Sequence, residues 1–312
     1  MDNITNIFSL EGKALIKELA HQVEHDEAIG SFSPSVYDTA WLAMISKADG
    51  NPTFLFPECL RYLLETQNQD GSWPEYASEV DGILNTMAAT LALKMHERQQ
   101  SPGPHYSSLQ WDIRSRVLQA KQYLRVKLQT WDVACAVHVG FEILVPALLE
   151  LLEKDEEKFE FPGRRKLLAL NEAKLGKFLP EILYSEHKTT LIHSLEAFIG
   201  KIDFDKVHHH LDEHGSMMGS PSATAAYLMQ TSQWNESAET YLRRVVTLGS
   251  GKGGGGVPSA FPSGIFETAW ITSTLLKAGL TPDALGREEL GKIAAFLQSQ
   301  LVSQGGLVGF GK

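Results

Sequence analysis

Leu60-Arg61-Tyr62-Leu63-Leu64-Glu65-Thr66-Gln67-Asn68-Gln69-Asp70-Gly71-Ser72-Trp73 reads as a helix that ends in a glutamine and runs into a Gly-x-Trp turn. Each residue type has a local job. Gly71 permits the tight turn at the helix end. The glutamine amide can hydrogen-bond backbone left exposed there, and the tryptophan ring can cover the joint. Further Gly-rich turns follow at His214-Gly215-Ser216-Met217, Gly253 to Val257 and Gln304-Gly305-Gly306-Leu307. The last three are about 40 and 50 residues apart, which is the spacing of helical repeat units. Helix hairpins stacked in a ring or solenoid would give this rhythm, each pair burying its inner face against its neighbours.

The segments between the turns carry a helical period. Leu15, Leu19 and Val23 repeat at four. Leu84, Met87, Ala88, Leu91, Ala92 and Met95 follow i, i+3, i+4, i+7, as do Phe141, Leu144, Val145, Leu148, Leu149 and Leu152. Leu191, Ile192, Leu195, Phe198 and Ile199 continue the pattern, then Phe266, Trp270, Thr274, Leu275 and Ala278, then Leu290, Ile293, Ala294, Leu297 and Leu301. Each places an apolar stripe on one helix face. No alternating strands and no βαβ rhythm appear, so the expected fold class is all-α. Leu152 to Lys158 reads as a solvated helix end before Pro162, and Gln99 to Pro104 as a loop, because its prolines stop a helix.

At 312 residues and 43% hydrophobic, the chain is long enough for about two domains and a sizeable core. Its net charge of −10, without a basic block, argues against nucleic-acid binding. Cys59 and Cys135 cannot build a disulfide framework and read as reduced, buried thiols of a cytoplasmic protein. The longest apolar stretch, Phe141 to Leu149, is interrupted by Glu142 and Pro146 and is too short to span a bilayer. The opening residues, without a cationic stretch before an apolar one and not rich in Arg and Ser, read as neither a secretory nor an organelle signal.

Several motifs flank the opening stretch in order: Ser33-Pro34-Ser35-Val36-Tyr37-Asp38-Thr39-Ala40-Trp41, Asp81-Gly82-Ile83-Leu84-Asn85-Thr86, His138-Val139-Gly140-Phe141-Glu142, Thr190-Leu191-Ile192-His193-Ser194-Leu195-Glu196, Gly215 to Tyr227, and Phe261 to Trp270. Together with the Gln–Trp turn they resemble class II diterpene cyclases of the copalyl diphosphate synthase type. The likeness is strongest to the N-terminal part of the fungal bifunctional copalyl diphosphate/ent-kaurene synthases. The resemblance implies an α-toroid (α/α barrel) fold with a complete γ domain inserted into an incomplete β domain. The corresponding divisions are 1–52 for the opening β segment, 53–279 for γ and 280–312 for a truncated return into β.

The chemistry this implies is an intramolecular lyase reaction. Geranylgeranyl diphosphate would be protonated at its terminal alkene and cyclised to the copalyl skeleton with its diphosphate retained, in the presence of Mg²⁺. The family's acid is the middle Asp of an Asp-x-Asp-Asp motif. This sequence has none, Asp203-Phe204-Asp205-Lys206 being the nearest, and it ends at Gly306-Leu307-Val308-Gly309-Phe310-Gly311-Lys312. The expectation is a chain inactive alone that needs the missing β and α domains. A non-catalytic helical module that binds a cyclase subunit or prenyl ligand is the alternative.

The resemblance also nominates residues. His193 corresponds to a base that acts through water, with Ser259 standing where the family has its Asn partner; a hydrogen-bonded interior His is the other reading. Lys174 corresponds to a diphosphate-binding lysine, or is an ordinary surface lysine. Asp132 is the one acid where the family carries a pair for Mg²⁺, or is a helix cap. His208-His209-His210 with His214 has a zinc-like i, i+4 spacing between His210 and His214, but no Cys or Glu-x-x-His partner follows, so a polar helix face is expected. Gly253-Gly254-Gly255-Gly256 lacks the Gly-Lys-Ser/Thr ending of a phosphate loop and reads as a flexible turn.

Overall fold

The computed structural model describes residues 2–25, 29–47, 53–99, 107–187 and 189–303. The expected loop at Gln99 to Pro104 lies outside them except for Gln99, and the turn at Gln304 to Leu307 and the chain end lie outside them entirely. The described chain is helical, apart from four two-residue strands that form two antiparallel pairs.

Two compact units divide the chain. One comprises residues 1–32 and 260–312. It holds α1 (Asp2–Glu24), α11 (Gly264–Lys277), α12 (Pro282–Leu285) and α13 (Arg287–Ser303). The other, 33–259, holds β1 (Pro34–Ser35), α2 (Val36–Ala43), β2 (Ser46–Lys47), β3 (Thr53–Phe54), α3 (Pro57–Thr66), α4 (Glu79–Gln99), α5 (Ser107–Thr130), α6 (Phe141–Lys154), α7 (Arg164–Leu175), α8 (Glu181–Tyr184), α9 (Pro221–Gln230), α10 (Glu236–Leu248) and β4 (Val257–Pro258). Both divisions fall earlier in the chain than 52/53 and 279/280. The reason is packing: Pro34 and Ser35 pair with Pro258 and Val257, and α2 packs against α3, α4 and α9, so residues 33–47 go with the larger unit.

The Gln–Trp turn of the larger unit is built from side-chain bonds. Gln67 donates through Nε2 to the carbonyls of Gly71, at 3.0 Å, and Arg116, at 3.1 Å. Arg116 returns a bond to the Leu64 carbonyl. Gly71 has φ +88°, and a Cβ there would come within 2.4 Å of the Gln119 backbone. The Gly215 turn repeats this plan. Asn68 N–H donates to the Ser72 carbonyl at 2.8 Å, and Asp212 N–H to the Ser216 carbonyl at 3.0 Å. Trp73 N–H donates to the Thr86 hydroxyl, and Met217 N–H to the Thr224 hydroxyl, each closing the turn onto the next helix.

Several faces differ from their expected stripes. On α4 every residue from Gly82 to Leu93 is buried, so this is an inner helix enclosed on all sides, and Met95 is only partly buried. On α1 the buried seam is Ile16, Leu19 and Ala20, while Leu15 is exposed. On α11 Trp270 is 63% exposed and stacks on Phe266. Thr190–Phe198 is a 3₁₀ segment kinked at Ser194 rather than an α-helix.

The charged stretch after α6 is not simply solvated. Asp155 is buried and meets Lys94 at 3.0 Å as well as Arg98, while Glu157 meets Lys94 and Lys121. Cys59 is buried but Cys135 is exposed. Gly253 is open, yet a Cβ on Gly255 would strike the Glu58 carbonyl at 2.0 Å, so this end of the glycine run is packed in place.

Candidate functional site

The larger unit contains a cavity of about 450 Å³. Part of its wall comes from segments that open helices. Ser35 caps α2, accepting from the Asp38 N–H and donating to Asp38 Oδ2 at 2.7 Å. Asp81 Oδ2 accepts from the Ala77 and Ser78 N–H groups at the start of α4. Ser220 caps α9 and accepts from the Ala223 N–H. Helix starts are rich in such capping side chains, so converging three of them makes a polar wall.

His193 and Ser259 both line this cavity. His193 is part-buried, and its Nδ1 lies 3.2 Å from the Met218 carbonyl. A carbonyl only accepts, so Nδ1 carries the proton in the neutral ring and Nε2 the lone pair. Across the cavity wall His138 Nδ1 lies 2.8 Å from Asp81 Oδ1.

Two buried acids share the wall. Asp38 is 4% exposed and Glu196 3%. Glu196 Oε1 accepts from the Tyr37 hydroxyl at 3.2 Å and the Ser222 hydroxyl at 3.5 Å. Asp38 Oδ1 accepts from the Ser222 N–H at 3.2 Å. Burial pushes the Glu196 carboxyl up to about 8, with the Asp38 charge adding to the rise and the hydroxyl bonds opposing it. Burial likewise raises Asp38, against the pull of its Ser35 and Ser222 bonds and of His193. Both acids sit inside motifs quoted above, but neither is among the residues that the sequence nominated. An acid on an apolar segment such as Val36–Ala43 or Thr190–Phe198 is the local signal that singles them out.

The other nominated residues lie elsewhere. Lys174 is exposed on α7, pairs with Glu142 at 2.8 Å, and borders a separate depression of about 340 Å³ with Lys177. Burial raises the Glu142 carboxyl, but the Lys174 bond and charge bring it below its usual range. Asp132 is exposed and caps the Val133–Cys135 turn, its Oδ1 accepting from the Ala134 N–H at 2.8 Å. Asp132 thus offers one exposed carboxylate, and it lies outside the wall of the larger cavity. Among the described residues no three His, Cys, Asp or Glu side chains gather for a metal.

The zinc-like spacing also dissolves. The 3₁₀ segment ends at His210, so His210 and His214 do not share a helix face. Instead His208, His209 and His210 are bonded to the carbonyls of Asp205, Ser185 and Leu183. No described helix is long and apolar enough to cross a membrane.

No protein-family profile matches the chain. Curated relatives do. A copalyl diphosphate synthase of Talaromyces verruculosus is 48% identical over 298 residues, which is 95% of this chain and 30% of that protein. A phyllocladan-16-alpha-ol synthase of Phomopsis amygdali is 46% identical over 96% of this chain and 30% of its own. An ent-kaur-16-ene synthase of Fusarium fujikuroi is 42% identical over 98% and 32%. The chain thus spans about a third of the length of these relatives.

Among solved structures, ent-copalyl diphosphate synthase from Arabidopsis thaliana was crystallised with (S)-15-aza-14,15-dihydrogeranylgeranyl thiolodiphosphate. It superposes with a TM-score of 0.73 at 28% identity, over 92% of this chain and 39% of that one. Abietadiene synthase from Abies grandis gives 0.76 at 28% identity, over 94% and 36%. The fold is the all-α toroid type of the terpenoid cyclases. Over almost its whole length, the chain is similar to class II diterpene cyclases of the copalyl diphosphate synthase kind.

Proposed function

We propose that this chain supplies the γ-type toroid and part of the adjoining β-type domain of a class II diterpene cyclase, whose substrate is geranylgeranyl diphosphate and whose product is a copalyl diphosphate. In this reading residues 33–259 are the γ portion and the 1–32/260–312 unit belongs to β. The observation that carries it is that His193 and Ser259, distant in sequence, line one cavity in a chain 48% identical to a copalyl diphosphate synthase.

The reaction needs a strong acid to protonate an alkene and a weak base to end the cation. His193 suits the second task. Its Nδ1 is held by the Met218 carbonyl, which fixes the ring at the cavity wall, where an imidazole can take a proton directly or through a water that the Ser259 hydroxyl can orient. The acid in Asp-x-Asp-Asp form is missing from these 312 residues, and the proposal assigns it to the portion of the relatives that the chain does not cover. No residue here is assigned to Mg²⁺.

The test is incubation with geranylgeranyl diphosphate and Mg²⁺, followed by phosphatase treatment and detection of copalyl alcohol. The chain alone should give none. A chimera joining it to the uncovered part of the Talaromyces relative should give product, and His193→Ala in that chimera should lower the rate or change the product. Copalyl alcohol from the chain alone overturns the assignment of the acid. An active chimera indifferent to His193→Ala overturns the assignment of the base.

A further inference from the structure

The cavity wall holds a second titrating group that the base-side reading does not use. Glu196 Oε1 has two hydroxyl donors, but Oε2 is fully buried and has no hydrogen-bond partner. Asp38 is held from two sides, by Ser35 Oγ at Oδ2 and Ser222 N–H at Oδ1. Ser222 therefore links the acids, its amide on one and its hydroxyl on the other. Among the described residues neither acid forms a salt bridge with a lysine or arginine. The titratable groups that face them are Tyr37 beside Asp38 on α2, His193 on the segment of Glu196, and Tyr241 from α10, which feels the Asp38 charge.

Two carboxylates buried together without a lysine or arginine cannot both remain ionised, because each charge is desolvated and each repels the other. A single proton relieves both penalties. An unpartnered, buried oxygen on Glu196 marks where a protonated carboxyl tolerates the lack of a donor better than a carboxylate does.

We propose that Asp38 and Glu196 form a proton-holding pair in the cavity wall, coupled through Ser222, which together hold one proton at neutral pH, on Glu196, and can accept a second, as a proton station distinct from His193. The pair titrates as a unit, so its two steps belong to both residues. The cavity wall at this point therefore carries one negative charge rather than two. This inference stands on the cavity of residues 33–259 alone and does not rest on the cyclase reading.

The test is spectroscopic and needs no activity, so its failure and that of the cyclase reading are distinguishable. With the full chain, infrared spectra should show the C=O stretch of a protonated carboxyl at neutral pH, fading as pH rises through about 8. Glu196→Gln should remove that band. Asp38→Asn should move the fading to lower pH, because the charge that holds the proton on Glu196 is gone. Circular dichroism checks that each variant is folded. Should a variant fail to fold, wild-type chain labelled with ¹³C at the glutamate and aspartate side-chain carboxyls supplies the same answer. One glutamate should still be protonated at neutral pH, and one aspartate should take its proton above the ordinary aspartate range. All carboxyls ionised at neutral pH, a band unaffected by Glu196→Gln, or a midpoint indifferent to Asp38→Asn would each overturn the pair.

Discussion

Trp73 donates its indole N–H to the backbone carbonyl of Leu63 at 3.0 Å, ten residues back across the turn that ends α3. The ring is almost fully buried, so the bond satisfies both a helix-end carbonyl and an indole that would otherwise be stranded in the core. Trp73→Phe keeps an aromatic ring but loses volume and leaves the Leu63 carbonyl unsatisfied. The expected cost is about 2–4 kcal/mol, from roughly 1–3 for the unmade bond and the rest for the cavity. Urea unfolding measures it, and a loss too small to resolve would show that the turn does not depend on this bond.

Glycines should sort by their surroundings. Gly71→Ala combines a φ of +88° with a Cβ driven into the Gln119 backbone, and should destabilise by well over about 1 kcal/mol. Gly291 lies inside α13, and a Cβ there meets nothing within 4 Å. Gly291→Ala should stabilise by about 0.5–1 kcal/mol. Melting temperatures that move in the same direction for both would contradict this division.

His96 is buried, its Nε2 lies 2.7 Å from the Ala43 carbonyl, and its ring stacks on Phe54. Burial pulls it down to about 4, against the Ala43 bond, from an ordinary value of 6.5. Between these values the unfolded chain binds a proton that the folded chain refuses. This contribution is therefore complete above 6.5 and drains away as pH falls toward 4, by up to about 3 kcal/mol. Histidine NMR on the folded chain should find one ring still neutral well below pH 6.5.

Glu196 works in the opposite direction. Its folded value of about 8 exceeds the ordinary 4.5, so the folded chain keeps a proton that the unfolded chain has released. Its contribution is complete below 4.5 and is lost as pH rises through about 8, with a slope near 1.4 kcal/mol per pH unit within that window. Between 6.5 and 8 the His96 contribution no longer changes, so denaturation across that interval is free of it. Stability should decline there in the wild type and decline less in Glu196→Gln. Equal slopes would place the titration on another group.

The unit of residues 1–32 and 260–312 exposes large apolar side chains: Phe8 and Leu10 on α1, Trp270 and Leu276 on α11. Exposed apolar side chains favour association where they form a contiguous patch. The full chain should bind a hydrophobic dye or self-associate, and Trp270→Ser should reduce either effect. A chain of residues 33–259 should show less of both. Light scattering and dye fluorescence decide it: a monodisperse full chain that binds no dye would be the contrary result.

What was legible in the sequence is what depends on neighbours along the chain. The all-α class follows from apolar residues at helical spacing, and α6 buries Phe141, Val145, Leu148, Leu149 and Leu152 as that spacing requires. The Gln67–Trp73 turn is equally local, because its glycine, amide and ring act within one helix end. Local period could not show that α4 is enclosed on every side, since small residues such as Ala89 and Thr90 become interior only when α2, α3, α5 and α6 close around them. Nor could it separate the 3₁₀ path of Thr190–Phe198 from an α-helix of the same apolar content.

The site shows the same boundary. His193 was nominated by its motif, and Lys174 and Asp132 with it, but only the folded chain puts His193 and Ser259 in one cavity and the other two outside its wall. The sequence by itself determined the helical class and the turn chemistry, because both arise from contacts within a turn or two. The tertiary structure decided the unit boundaries and the meeting of Asp38 with Glu196. Strand pairing of residue 34 with 258, and a serine amide and hydroxyl bridging two acids, come from segments that only packing brings together.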